Sequence, residues 1–277
     1  MRITKVKYKD ALIQALLFIY LIFTVYPVFL MVITALKTNA EIIKHPLSMP
    51  IKLNFSGFIK IFTTQNFALY FRNSFFVTVL SILITVFVSI LLSYALARYK
   101  MKYVNPLSIY FLAGMMIPIR LGVLYINELL NTLNLIDSLI GLILVYTAMT
   151  IPFSMFIFMG FIKMVPVELD ESAYIDGCSE RKILFRIIAP LIKPAVATVT
   201  IYNFVPIWND VYFPLIFIHS PEKKTLLLAV TIFFGQFQTD WSLVFSALTV
   251  ATIPVLTIYL VGSKYFIRGL TSGALKG

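Results

Sequence analysis

The side chains that could carry out covalent chemistry in this chain are few and badly spaced for it. Twelve acids, two histidines and one cysteine are spread over 277 residues. His45 and His219 have no cysteine cluster near them, and Cys178 has no second thiol to pair with, so neither a metal site nor an internal disulfide follows. There is no H-E-x-x-H, no Ser/His or Ser/Lys arrangement, and no paired carboxylate within an apolar stretch, where Asp210 is the single acid of its segment. A Gly-x4-Gly-Lys-Ser/Thr loop is also missing, so the chain has no phosphate cradle of its own for hydrolysing ATP. Charge is concentrated instead in Val167 to Pro194, V-E-L-D-E-S-A-Y-I-D-G-C-S-E-R-K-I-L-F-R-I-I-A-P-L-I-K-P. Its chemistry is that of a docking surface, with ionised groups at the turn of two short helices.

The local signals in this stretch are specific. Pro166 suits a first helical turn, and Glu168, Asp170 and Glu171 complement the positive end of a helix dipole. Gly177 can take the left-handed conformation that ends the helix, and Ser179 can cap a second one. Ile183, Leu184, Ile187, Ile188 and Leu191 then share one face, with Glu180, Arg181, Lys182 and Arg186 left polar. A solvated loop between membrane helices is the bland alternative for such a charge run.

The elements that must hold this stretch are membrane spans. The chain is 60% hydrophobic and 13% charged, with mean hydropathy +0.93, outside the range of soluble domains. The expected spans are Ala11 to Leu36, Asn73 to Ala97, Val104 to about Asn127, Ser138 to Ile162, Ala195 to Ile218 and Trp241 to Ser263, which predicts an all-α integral membrane protein with six transmembrane helices. The first span is too long for a signal-peptide core. Arg120 falls inside the third, where it faces protein or water, or else snorkels to an interface. The net charge of +11 does not mark a nucleic-acid surface, because the basic residues lie between apolar spans. With the N-terminus in the cytoplasm, fifteen lysines and arginines fall on that side and seven on the other, Arg120 making up the 23. The positive-inside rule then puts both termini and the charged stretch in the cytoplasm.

Several pieces of the chain resemble one family. Glu171-Ser172-Ala173, Gly177, Ile187 and Pro190 are similar to the EAA loop of ABC importer permeases, E-A-A-x3-G-x9-I-x-L-P, with Ser172 for the first Ala and Ala189 for the Leu. F-R-N-S (Phe71 to Ser74), S-Y-A-L-A-R-Y (Ser93 to Tyr99), M-I-P-I-R-L-G (Met116 to Gly122), W-N-D (Trp208 to Asp210), G-Q-F-Q-T-D-W (Gly235 to Trp241) and the tail Arg268 to Gly277 extend the likeness to the carbohydrate-uptake, maltose-type second permeases. The resemblance implies a single permease domain over 1–277 in the cell membrane, with a coupling loop at 164–194 between the fourth and fifth helices and external segments at about 37–72, 128–137 and 219–240. It implies an importer of a di- or oligosaccharide with four kinds of contact: a second homologous permease, two ATP-binding subunits, an extracellular sugar-binding protein and the bilayer. The chain would hold no cofactor, Mg-ATP belonging to the ATPase subunits, and would contact no nucleic acid. Glu168, Glu171, Ser172, Ala173, Asp176, Gly177, Ile187 and Pro190 would couple to the ATPase.

For the substrate path, aromatic faces and planar amides suit a sugar, which singles out Tyr202, Asn203, Trp208, Asn209 and Asp210; packing between helices explains any one of them equally well. Gln236, Gln238, Asp240 and Trp241 are the expected contacts to the binding protein, with an ordinary solvated turn as the alternative. The rival function is an ion-coupled secondary carrier, or a permease for a non-sugar solute. A carrier should show more ionisable groups within its spans.

Overall fold

The computed structural model describes residues 8–63, 66–99, 102–234 and 239–274, with side chains over 10–63, 66–99, 102–234 and 239–262. Every element among them is helical. In chain order they are α1 (Tyr8–Ala35), α2 (Asn39–Lys44), α3 (Ser56–Thr63), α4 (Phe67–Arg98), α5 (Val104–Met116), a 3-10 turn (Ile119–Gly122) and α6 (Val123–Thr132). There follow α7 (Leu139–Met164), α8 (Glu168–Ile175), α9 (Glu180–Lys182), a π-helical segment (Ile183–Ile188), α10 (Ala189–Leu191) and α11 (Lys193–Trp208). The last are α12 (Tyr212–Phe217), a 3-10 turn (Pro221–Lys223), α13 (Leu226–Val230), a further 3-10 turn (Thr231–Phe233) and α14 (Trp241–Ala274).

Four of these helices are long and apolar enough to cross a membrane: α1, α4, α7 and α14. The third expected span is a bent pair, and a second bent pair joins the return limb of the charged stretch to the helix that begins the fifth. Val104–Met116 and Ile119–Thr132 meet at 84°, and Glu180–Leu191 and Lys193–Trp208 at 73°. Proline chemistry explains the first break. Pro118 holds Ile117 extended, at φ −80 and ψ 121, so the helix stops at Met116. The fifth apolar stretch also ends early, at Trp208, because Asn209 and Asp210 separate α11 from α12. Ser138 caps α7 as its type predicts, accepting from the Ile140 N–H. Ser179 occupies the expected cap position but makes no side-chain cap bond.

The chain forms two compact units, Met1–Ala68 with Ala229–Thr252, and Leu69–Leu228 with Ile253–Gly277. In the first, the Ser246 hydroxyl donates to the Ala35 carbonyl and the Thr252 hydroxyl to Met31, so α1 and this part of α14 run antiparallel. Lys37 is fully buried there. Its ammonium donates to the carbonyls of His45 and Pro46 at 3.0 and 3.2 Å, which satisfies both the charge and the end of α2.

In the second unit a row of small hydroxyls four residues apart joins two helices. Ser81, Ser89 and Ser93 donate to the carbonyls of Ile143, Ile151 and Met155 at 3.4, 3.5 and 2.9 Å, each 62 residues further on. A constant offset means that α4 and α7 run parallel. Small polar residues let the backbones approach and supply the hydrogen bonds that hold apolar helices together. Between α7 and α11 the pairing reverses: Tyr146 meets Asp210, Phe153 meets Tyr202 and Ser154 meets Asn203, so these helices are antiparallel. The core of this unit lies beneath the charged stretch, where Tyr94, Phe158, Ile162, Ala173, Ile183, Leu184, Ile188, Ala195 and Val199 are buried together.

Candidate functional site

The charged stretch is a helix–turn–helix held rigidly at its base and open at its tip. In α8, Ala173 is buried in the core while Glu168, Glu171, Ser172 and Asp176 are exposed. Gly177 follows with φ +76, the left-handed value that its sequence position predicts, and a Cβ added there would meet nothing within 4 Å. Ile175 projects beside it, 87% exposed. On the return limb, Ile187 packs at the edge of the core and Pro190 stays exposed. The second helix is not uniform: α9 passes into π-helix over Ile183–Ile188, which keeps Ile183, Leu184 and Ile188 turned inward.

The sequence reading missed what holds the base. Arg98, which entered there only within S-Y-A-L-A-R-Y and in the count of basic residues, reaches Asp170 with its Nε 2.6 Å from Oδ2, the two side chains 8% and 6% exposed. The contact is a close ion pair rather than an aligned hydrogen bond. A second guanidinium nitrogen donates to the Val165 carbonyl at 3.0 Å. Removing one partner of such a pair costs roughly 3 to 5 kcal/mol, because a lone charge stays buried. The other limb is tied as well: Tyr174 donates to Glu180 at 3.2 Å, and a hydrogen bond to the same carboxylate pushes the Tyr99 phenol up to about 12. Partial burial and Glu180 also raise Tyr174. The available signal was S-Y-A-L-A-R-Y itself, whose tyrosines and arginine close an apolar helix.

A second feature is a cavity of about 290 Å³ lined by α7, α11, the start of α12 and the α5–α6 break, including Arg120, Tyr146, Thr150, Phe153, Tyr202 and Asp210. Tyr202 stacks on Phe153 at 3.9 Å between ring centroids and stays half exposed. Arg120 lies over the Tyr212 ring at 5.1 Å, and Tyr212 donates to the Arg120 carbonyl. Of the two sequence alternatives for Arg120, the one facing protein and a cavity matches this geometry. Asp210 accepts from the Tyr146 hydroxyl at 2.8 Å and from the N–H groups of Tyr212 and Phe213, so it also caps α12.

The other residues expected around this path divide differently. Asn203 reaches the cavity wall but donates to Ser154 at 3.0 Å and is buried. Trp208 does not line the cavity. It is 2% exposed, stacked on Phe204 at 5.6 Å and edge-on to Phe71 at 5.4 Å. Asn209 ends α11 through its backbone and is exposed outside the cavity lining.

At the ends of α4 and α7 away from the charged stretch, loops are fastened by short polar side chains. Asn73 donates to the carbonyls of Glu222 and Lys224, and Ser74 accepts from the Leu226 N–H, which gives F-R-N-S a structural role. Asp137, at φ +52, accepts from the N–H groups of His219 and Ser220, from the Ser220 hydroxyl and from Lys223. Burial opposes its ionisation, but the Ser220 bonds and the other donors hold its carboxyl well below the ordinary range. In the first unit, Asp240 accepts from Asn39, Lys60 and the Leu243 N–H, and Trp241 packs edge-on to Phe234. Gln236 and Gln238 lie outside the described residues.

Comparison with known proteins agrees with this architecture. A protein of Bacillus subtilis strain 168, described as a probable ABC transporter permease, is 33% identical over 261 residues, covering 94% of this chain and 87% of its own. The sulfoquinovosyl glycerol transport system permease of Agrobacterium fabrum is 32% identical, over 94% of this chain and 91% of its own. A chain in the crystal structure of a bacterial ABC transporter involved in the import of the acidic polysaccharide alginate has the same fold: the TM-score is 0.84 at 18% identity, over 96% of this chain and 99% of the other. Residues 89–272 match the family described as binding-protein-dependent transport system inner membrane component. This chain belongs to that family, as a multi-pass membrane permease subunit of an ABC transport system and not an enzyme.

Proposed function

We propose that this chain is half of the translocation path of an ATP-driven carbohydrate importer, and that residues 164–194 are its coupling loop to the ATPase. The observation that carries this reading is the loop's construction: a rigid base, a left-handed glycine at the turn, and Glu171 and Ile175 exposed at the tip for another protein. Glu168, Ser172, Asp176 and Pro190 share that exposed surface, while Ala173 and Ile187 seat it on the core. The partners are a second homologous permease, two ATP-binding subunits that bind Mg-ATP, and an extracellular sugar-binding protein.

The topology is six crossings within one permease domain. The parallel run of α4 and α7 supports a return of the chain across the bilayer between Arg98 and Leu139, with the α5–α6 pair as a broken span. The end of α4, the end of α7 and the beginning of α11 then share one side with the coupling loop. The excess of lysine and arginine puts that side and both termini in the cytoplasm. In this reading segments 37–72, 128–137 and 219–240 face outward, and Gln236, Gln238, Asp240 and Trp241 are the contacts for the binding protein.

A carbohydrate fits the cavity, where the Tyr202 and Phe153 rings offer stacking faces and Arg120, Thr150 and Asp210 offer donors and acceptors for hydroxyls. Relatives named for sulfoquinovosyl glycerol, diacetylchitobiose and arabinooligosaccharides support the same substrate class. The test is uptake of labelled oligosaccharide by vesicles reconstituted with all subunits. Accumulation should require ATP inside and the loaded binding protein outside; accumulation driven by an ion gradient without ATP would refute the reading.

A further inference from the structure

The coupling loop packs on α7 and α11 and also on the last turns of α4. Arg98 holds Asp170 and the Val165 carbonyl at the start of the loop. One turn earlier Tyr94 is buried in the same cluster as Ala173 of the first limb and Ile183 and Leu184 of the second, and Tyr174 donates to Glu180 across the Gly177 turn. Both limbs of the loop are thus fastened to a single helix end. The Arg98 pair is the buried member of this set. The Asp170 Oδ1 atom is buried without a hydrogen-bond partner, so the carboxylate depends on Arg98 for its compensation. A buried charge separated from its counter-charge is strongly disfavoured, and the two groups therefore move as one body.

What α4 is fastened to matters equally. Its serine and threonine row is hydrogen-bonded along α7, with Ser93 donating to Met155 and Thr85 meeting Thr150 at 2.7 Å. Thr150 lines the cavity, as do Tyr146 and Phe153 of the same helix. A continuous set of packed, hydrogen-bonded groups therefore connects the loop base to the wall of the proposed sugar path.

We propose that Arg98 is the positioning residue of the coupling loop: its ion pair with Asp170 fixes the loop to α4, so that displacement of the loop by the ATPase is passed through α4 to α7. This rests on the reading of 164–194 as the ATPase dock. Arg98 touches neither substrate nor nucleotide. It acts by keeping the loop at one angle.

The experiment uses the assembled complex in lipid, comparing wild type with Arg98→Gln, Asp170→Asn and the charge-swapped double variant Arg98→Asp with Asp170→Arg. The readout is ATP hydrolysis with and without sugar-loaded binding protein. The single variants should lose stimulation by roughly tenfold to a hundredfold, the scale on which a displacement of about 1 Å slows a positioned step. The double variant should recover most of it, since pairing rather than either side chain is what matters. The inference is overturned if the single variants are stimulated within about twofold of wild type, or if the swapped pair does no better than they do, whether through failed assembly or failed stimulation. Should the wild-type chain bring down no ATPase subunits at all, the docking reading itself is at fault, and no stimulated rate exists to lose.

Discussion

Gly177 is the residue whose requirement is easiest to state. Its φ of +76 excludes ordinary side chains, yet the space around it is open, so substitution acts through the backbone and not through a clash. Gly177→Val should cost about 1 to 3 kcal/mol of local strain, leaving insertion and pairing in the membrane intact while tilting the loop tip. Purified complexes of this variant should retain fewer ATPase subunits than wild type; wild-type subunit ratios with wild-type stimulated hydrolysis would contradict the role given to the turn. At this scale legibility was uneven, and the reason is physical. A positive φ leaves a mark in the choice of residue, so Gly177 could be found from the sequence. Trp208 could not be assigned, because a tryptophan that stacks on a sugar and one that packs between Phe71 and Phe204 have the same composition. Arg98 was hidden among the basic residues that the positive-inside count already accounted for.

Among the elements, long apolar helices were visible from hydropathy, but the break of the fifth span at Asn209-Asp210, the bend angles and the partners were not. The parallel pairing of α4 with α7 depends on Ser81, Thr85, Ser89 and Ser93, and serines are common enough in membrane helices that their four-residue spacing drew no attention. The loop latch at Asp137 was equally silent, since the residues that bind it are more than 80 positions away. It makes a pH prediction. The folded-state pKa is lowered by the Ser220, His219 and Lys223 donors against the effect of burial, so the latch contributes stability above the unfolded carboxylate value of about 3.9 and loses it as pH falls toward the folded value. Thermal unfolding of the solubilised complex should show Asp137→Asn well below wild type at about pH 7, with the gap beginning to narrow as pH falls below about 4. A gap that does not change with pH would mean that the carboxylate charge is irrelevant to the latch.

For the whole molecule, composition was enough to establish a membrane protein, and the E-S-A-x3-G stretch with its flanking pieces was enough to indicate the family. Division into two compact units was not legible, because contacts between residues 1–68 and 229–252 carry no periodic signal. Nor could a buried Lys37 be foreseen: a lysine between apolar segments is ordinarily solvated, and here nearby carbonyls enclose it instead. The central claim is that the tip of residues 164–194 meets an ATP-binding subunit on the cytoplasmic side. Site-specific cross-linking tests it most directly, using a thiol-reactive photo-probe on Ile175→Cys in a Cys178→Ser chain, with His219→Cys at the opposite end as the control. In the assembled complex the Ile175 position should yield an adduct between this chain and an ATPase subunit, and the His219 position should yield none. No ATPase adduct from Ile175, or an equal one from His219, would contradict the account.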